Sequence, residues 1–89
     1  MSRRFVVQGR VQGVAFRWFV QSVATELGVT GWVRNCGDGT VEVEAHGAAE
    51  QLRALEEQLR HGPRAARVDG VVSEEIQDAS GVTTFRIIR

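Results

Sequence analysis

The apolar positions recur with two different periods along the chain, and each change of period marks a predicted element. Phe5 to Gln8 is a short β-branched and aromatic run that stops at Gly9, which predicts a strand. From residue 16 to residue 27 the apolar positions return at helical spacing, and Gly28 follows where a helix commonly ends. The first part of the chain therefore predicts a strand followed by a helix.

Residues 29–46 predict a β-hairpin. Val29 to Asn35 is the first strand, and the CGDG stretch at residues 36–39 contains turn residues that tolerate positive φ. In residues 41–46 valine and alanine alternate with glutamate and histidine. This alternation is typical of a half-buried strand with one face in water.

The rest of the chain predicts a second helix and two more strands. The helix opens at Gly47, carries a leucine stripe at residues 52, 55 and 59, and ends at Gly62-Pro63. Val68 to Ile76 predicts a strand with a bulge at Gly70, and Val82 to Ile88 predicts a last strand after a Ser80-Gly81 turn.

The element order is β-α-β-β-α-β with an extra C-terminal strand. Two helices with one apolar face each must bury those faces on a single side of one sheet. The sequence therefore predicts the α+β class: a ferredoxin-like split βαβ sandwich with two helices on one face of a mainly antiparallel sheet.

Composition narrows the functional classes. The chain has 89 residues, enough for one modest core, and its 11 basic and 11 acidic residues balance. This balance argues against nucleic-acid and anionic-membrane partners. Cys36 alone cannot form an internal disulfide, and the apolar runs are too short for a secretory signal or a bilayer span. We expect one cytoplasmic domain over residues 1–89.

The predicted first helix starts without a capping side chain. The preceding segment, GRVQGVAFR at residues 9–17, supplies no Ser, Thr, Asp or Asn there. Gly9 and Gly13 allow the backbone to turn tightly and aim successive N–H groups at a bound anion, which would replace the cap. An ordinary strand–helix turn capped by water is the more common alternative.

Arg17 and Asn35 are candidate partners of that anion. Arg17 falls in the first helical turn, where a cation opposes the helix dipole but could hold a phosphate with two hydrogen bonds. Its alternative role is to cover apolar surface from an exposed position. Asn35 ends the second strand, where its amide could hold a water molecule or simply serve the turn.

The remaining reactive residues carry weaker signals. Cys36 has no histidine near it in sequence, His46 and His61 lack metal-ligand spacing, and we expect no metal site. Trp18 and Trp32 are interpreted as packing residues or partial lids. Arg34 could widen an anion site, although solvation alone would explain it.

Two motifs together resemble the acylphosphatase family. The first is GRVQGVAFR at residues 9–17; the second is GWVRN at residues 31–35, followed by GTV at residues 39–41. The C-terminal TFRIIR at residues 84–89 is also similar to the family's C-termini. The resemblance covers essentially the whole chain and implies hydrolysis of carboxyl-phosphate mixed anhydrides.

The resemblance also implies roles for individual residues. Arg17 would bind the phosphate and Asn35 would position the attacking water, both as catalytic residues. The backbone amides of the loop would bind the substrate phosphate; these are the amides of Gln12, Gly13, Val14, Ala15, Phe16 and Arg17. It further implies a monomer without cofactor or metal, for which inorganic phosphate is both product and competitive inhibitor.

The chemistry of the loop agrees with such a substrate. The loop contains no His, Glu or Asp to act as acid or base, and arginine does not deprotonate near neutral pH. An acyl phosphate releases a carboxylate, whose conjugate acid has a pKa of about 4, so its departure needs little protonation. A non-catalytic phosphate-binding or small-ligand regulatory module on the same fold remains the alternative.

Overall fold

The elements follow one another in the order that the hydrophobic pattern predicts. The computed structural model describes residues 1–78 and 81–89. The elements are β1 Ser2–Arg10, α1 Phe16–Leu27, β2 Thr30–Asn35, β3 Val41–His46, α2 Ala49–His61, β4 Arg67–Glu75 and β5 Phe85–Ile87.

The strands form one five-stranded sheet in the order β4-β1-β3-β2-β5. Strand β1 pairs antiparallel with β3 and β4, β2 pairs antiparallel with β3, and β5 joins β2 in parallel. Each helix connects strands that are not neighbours in the sheet, which is the split βαβ topology. The predicted ferredoxin-like α+β class is confirmed.

The core lies between the helices and one face of the sheet. Alternate residues of the central strands face the helices because side chains on a strand point to opposite faces in turn. The buried residues of this layer include Phe5, Val7, Val33, Val41, Val43 and Ala45 from the strands and Phe16, Val20, Ala24, Leu52, Leu55 and Leu59 from the helices. Within residues 1–78 and 81–89, no helix is long and apolar enough to cross a membrane.

Several boundaries differ from the predicted ones. Strand β1 extends beyond Phe5 to Gln8 at both ends because it is central and pairs on two sides. Strand β5 is shorter than predicted and keeps only Phe85–Ile87. The predicted irregularity at Gly70 is confirmed, since the pairing of β1 with β4 shifts beside it. Ser80 of the predicted Ser80-Gly81 turn lies outside the described residues.

The outer face of β3 is less exposed to solvent than the alternation of apolar and polar residues in its sequence predicts. Glu42 is only 6% exposed, because the guanidinium groups of Arg4 and Arg34 both contact its carboxylate. Arg34 Nε donates a hydrogen bond of 2.7 Å to Glu42 Oε1. That bond and the charge of the carboxylate raise the pKa of Arg34. A charge on an otherwise solvated sheet face is thus covered by its partners on neighbouring strands.

The close approach of β2 and β3 depends on Gly31. Its φ is +136°, and a Cβ atom there would lie 1.9 Å from the carbonyl oxygen of Glu44. We expect Gly31→Ala to lower the free energy of unfolding by at least about 2 kcal/mol, measured by urea denaturation. The alanine would be strained at this positive φ, and β2 would have to move away from the Glu44 carbonyl oxygen.

Gly37→Ala is the matched control. Among the described residues other than its chain neighbours, a Cβ at Gly37 would meet nothing within 4 Å, and we expect the free energy of unfolding to change by less than about 0.5 kcal/mol. A Gly31→Ala protein as stable as the Gly37→Ala protein would contradict this packing of β2 on β3.

Candidate functional site

The sheet register brings the end of β2 beside the segment that follows β1. Both strands pair antiparallel with β3, so they run parallel to each other on its two sides. Val7 of β1 and Asn35 of β2 both pair with Val41 of β3. The chain beyond Val7 therefore reaches the same edge of the sheet at which β2 ends with Asn35.

The loop between β1 and α1 has an unusual backbone. Gly13 has a φ of +74°, and Ala15, the residue that precedes the helix, has a φ of 60° and a ψ of 27°. Left-handed geometry in a residue with a Cβ costs about 1–2 kcal/mol. Such strain collects at ligand-binding and catalytic sites. Left-handed residues also occur in the backbone concavities that bind anions.

The start of α1 is uncapped, as the sequence predicts. Ala15 makes no side-chain cap hydrogen bond, and the first turn contains no acidic residue. Helix α2 also begins after an alanine, Ala48, but there Gln51 Oε1 accepts a hydrogen bond of 2.7 Å from the Ala48 amide. Its first turn also contains an acidic residue, Glu50. The positive end of α1 is therefore the better anion site of the two.

A small hollow of about 100 Å³ lies at this end of α1. Its lining combines loop residues, the first helical turn and the end of β2: Val11, Gly13, Ala15, Phe16, Arg17, Trp18 and Asn35. A larger groove of about 380 Å³ runs between the two helices, where Glu26 and Glu57 are among its lining residues. Carboxylates would repel a phosphate, so the smaller hollow is the candidate site.

The structure places Arg17 and Asn35 in the lining of the same hollow. Arg17 is half-buried, and among residues 1–78 and 81–89 its guanidinium makes no hydrogen bond or ion pair. Arg34, which could widen an anion site, is instead engaged by Glu42 and stacks over the Trp32 ring at 5.6 Å. Arg17 thus lines the hollow as a cation that remains available to an anion there.

The side chain of Asn35 holds a buried acceptor. Its Oδ1 atom is almost completely buried and has no hydrogen-bond partner among the described residues. Leaving such an atom unsatisfied costs about 1–3 kcal/mol, so a donor is needed. Asn35 shares a face of β2 with Val33, which is buried beneath the helix layer. The acceptor therefore lies on the side of the sheet where α1 begins.

Of the six loop residues predicted to bind phosphate through their amides, four line the hollow: Gly13, Ala15, Phe16 and Arg17. The other two have side chains directed elsewhere. Val14 packs against the core. The Gln12 side chain reaches the hairpin turn. Whether the six amides bind phosphate stays a prediction.

The role of the Gln12 side chain was missed in the sequence. Gln12 Nε2 donates hydrogen bonds to the backbone oxygens of Cys36, at 2.7 Å, and Thr40, at 2.9 Å. The turn itself is fixed by Asp38, whose carboxylate accepts hydrogen bonds from the Thr40 hydroxyl at 2.7 Å and the Thr40 amide at 3.0 Å. These bonds lower the pKa of Asp38. Gln12 thereby joins the loop to the turn that follows Asn35. The sequence signal that could have indicated this role is a side-chain amide in a largely apolar loop.

Of the two roles predicted for Trp18, packing residue or partial lid, the first is wrong, because 72% of its surface is exposed; the second stays a prediction. Cys36 is half-buried, and its thiol donates a long hydrogen bond of 3.9 Å to Glu42 Oε1. In the part of the chain that the structure describes, no group of three or more His, Cys, Asp or Glu residues could hold a metal ion.

Comparisons with known proteins agree with this arrangement. A family profile described as Acylphosphatase matches residues 3–87. An acylphosphatase from Koribacter versatilis is 51% identical over 86 residues, covering 97% of this chain and 78% of the relative. One from Pasteurella multocida is 44% identical over 87 residues, covering 98% and 97%. The crystal structure of acylphosphatase from Bacillus subtilis superposes with a TM-score of 0.95 at 36% identity, covering 99% of this chain and 98% of that one. This chain belongs to the acylphosphatase family.

Proposed function

We propose that this chain, as a single domain over residues 1–89, hydrolyses acyl phosphates to a carboxylate and inorganic phosphate without a metal ion. One observation carries the proposal: Arg17 and Asn35 line one hollow at an uncapped helix start, and among the described residues neither the Arg17 guanidinium nor the buried Asn35 Oδ1 has a hydrogen-bond partner. The guanidinium suits a phosphoryl group, and the acceptor suits the water that attacks it.

Binding is assigned to the loop and to Arg17. In the proposed complex, oxygens of the phosphoryl group accept hydrogen bonds from the amides of residues 12–17 and from the Arg17 guanidinium. Arginine can donate two parallel bonds to such an oxyanion. The positive end of α1 adds to the attraction. As charge spreads over the phosphoryl oxygens in the transition state, the same donors stabilise it.

Asn35 is assigned to the attacking water. The water donates one O–H to Asn35 Oδ1. In this orientation a lone pair of the water oxygen is free to face phosphorus. A bond forms between that oxygen and phosphorus while the bond from phosphorus to the acyl oxygen breaks. The electron pair of the broken bond leaves with the carboxylate, and the protons of the water stay with the phosphate and solvent. Asn35 contributes by positioning, since an amide is not a base.

The leaving group decides which substrates this site can cleave. A carboxylate departs without a proton because its conjugate acid has a pKa of about 4. An alkyl phosphate would release an alkoxide, which needs a general acid or a metal ion. Among residues 1–78 and 81–89, the hollow is lined by neither acidic residues nor histidine. The site therefore suits mixed anhydrides and not phosphate monoesters.

We expect the protein to release phosphate from acetyl or benzoyl phosphate in the presence of a chelator, and to leave an alkyl phosphate monoester uncleaved. Phosphate release measured on both substrates tests this expectation. Tight phosphate binding by a folded protein without turnover of either acyl phosphate would instead favour the non-catalytic module. Activity lost to the chelator and restored by a divalent cation would refute metal independence.

Arg17→Ala and Asn35→Ala should separate the two roles. Arg17→Ala should lower kcat/KM by at least ~10³-fold and weaken phosphate binding, because binding and charge stabilisation are both lost. Asn35→Ala should lower kcat by roughly 10²–10³-fold while phosphate affinity, measured by calorimetry, changes less than about 2-fold.

Arg53→Ala, at an exposed position on α2, is the control for loss of a positive charge and should retain activity. An Asn35→Ala protein with normal kcat would show that Asn35 does not position the water.

Gln12 is proposed as a positioning residue that holds the loop against the hairpin turn. Gln12→Leu removes its hydrogen bonds to the Cys36 and Thr40 oxygens. We expect kcat to fall at least about 10-fold, because misplacement of reacting groups by about 1 Å can cost 10²-fold. Stability should fall by roughly 1–3 kcal/mol.

Gln21→Leu is the matched control for Gln12→Leu. Gln21 Nε2 also donates to a backbone oxygen, that of Phe85 at 3.1 Å, but Gln21 does not line the hollow. The Gln21→Leu variant should have a lower free energy of unfolding but an unchanged kcat, when kcat is measured well below the unfolding temperature. If Gln12→Leu and Gln21→Leu had equal kcat values, Gln12 would not be a positioning residue.

A further inference from the structure

Trp18 is the most exposed of the large apolar side chains on the described surface. It is 72% exposed, compared with 54% for Val72 and 48% for Met1. The core cluster and the partly buried residues packed against it include its neighbours Phe16 and Phe19 but not Trp18. Packing of the fold therefore does not explain a tryptophan at this position.

Trp18 lies at the proposed phosphate site. It belongs to the first turn of α1 and lines the hollow together with Arg17 and Asn35. Side chains on a helix lean toward its N-terminus and cover the surface over the preceding turn. For Trp18 that surface is the loop around Ala15, at the rim of the hollow.

The size of the hollow leaves the acyl part of a substrate outside. Its volume is about 100 Å³, whereas pockets that enclose drug-sized ligands span ~300–1,000 Å³. A hollow of this size can take the phosphoryl group, so the acyl group must lie at the rim. The rim residues Gly13 and Ala15 are small and exposed. Among the described residues other than its two chain neighbours, none has an atom within 4 Å of the position that a Cβ of Gly13 would occupy. Gly13 and Ala15 leave the indole of Trp18 as the large apolar surface at the rim.

We propose that Trp18 is a specificity residue that contacts the acyl group and favours aromatic and bulky apolar acyl phosphates over small ones. The proposal rests on the proposed function. An aromatic pair contributes about 0.5–1.5 kcal/mol beyond area burial, which corresponds to roughly a 2- to 12-fold preference at 1.36 kcal/mol per tenfold. This size of effect alters substrate choice without being required for turnover.

The kinetic test compares benzoyl phosphate with acetyl phosphate. In Trp18→Ala we expect KM for benzoyl phosphate to rise roughly 3- to 10-fold, while KM for acetyl phosphate and both kcat values change less than about 2-fold. Trp18→Phe should retain most of the preference because it keeps an aromatic ring. Trp32→Phe is the matched control, since Trp32 does not line the hollow and its ring lies against Arg34; it should leave both KM values unchanged.

A binding test separates this proposal from the proposed function. Phenylphosphonate and methylphosphonate share one head group and are not hydrolysed, so their Kd values need no turnover. Calorimetry on the wild type should show a roughly 3- to 10-fold preference for phenylphosphonate that Trp18→Ala abolishes.

If Trp18→Ala kept the preference for phenylphosphonate, or lost affinity equally for both phosphonates, Trp18 would not be a specificity residue. This conclusion would hold whether or not the protein hydrolyses acyl phosphates. Failure of the wild type to hydrolyse either acyl phosphate, with the phosphonate preference intact, would overturn the catalytic proposal and leave Trp18 as a ligand-binding residue.

Discussion

The backbone donors at the start of α1 are the constraint on which the rest of the site depends. The first four N–H groups of any helix lack partners within it, and here neither a side-chain cap nor an acidic residue in the first turn supplies one. The loop before the helix holds Ala15 in a strained left-handed conformation. A helix end built for stability alone would carry a cap worth about 1 kcal/mol. Its absence favours an external anion, and Arg17 on the same turn strengthens that preference.

The fold gives this helix end its second component. Because β1 and β2 flank β3 and run parallel, the loop after β1 and the last residue of β2 reach one edge of the sheet. Gly31 allows β2 to lie against the backbone of β3, and Gln12 joins the loop to the turn beyond Asn35. The hollow is thus defined by several elements that are fixed relative to each other. Fixed donors are what positional catalysis requires, since they need no reorganisation during the reaction.

The chemistry proposed for the hollow is correspondingly simple. It offers a cation, backbone amides and one amide acceptor, and this set can orient a phosphoryl group and a water molecule without moving a proton. Such a site is sufficient only when the leaving group departs unaided, as a carboxylate does. The outer face of the sheet shows a different use of charge, because Glu42 and its two arginines neutralise one another. Arg17, which lines the hollow, has no such partner among the described residues.

Local patterns in the sequence determined the elements, their order, the fold class and the uncapped start of α1. These features depend on residues close to one another in the chain, such as the apolar positions of residues 16–27 and the glycine that follows them. Arg17 and Asn35 were singled out as an anion ligand and a water ligand from their places in α1 and β2, and the motif resemblance linked them as catalytic partners. Only the tertiary structure decided that they share a hollow, that Glu42 is buried between two arginines, that Gln12 reaches the hairpin turn and that Trp18 is exposed at the rim. Each of these depends on contacts between segments distant in the chain, for which a single sequence carries no periodic signal.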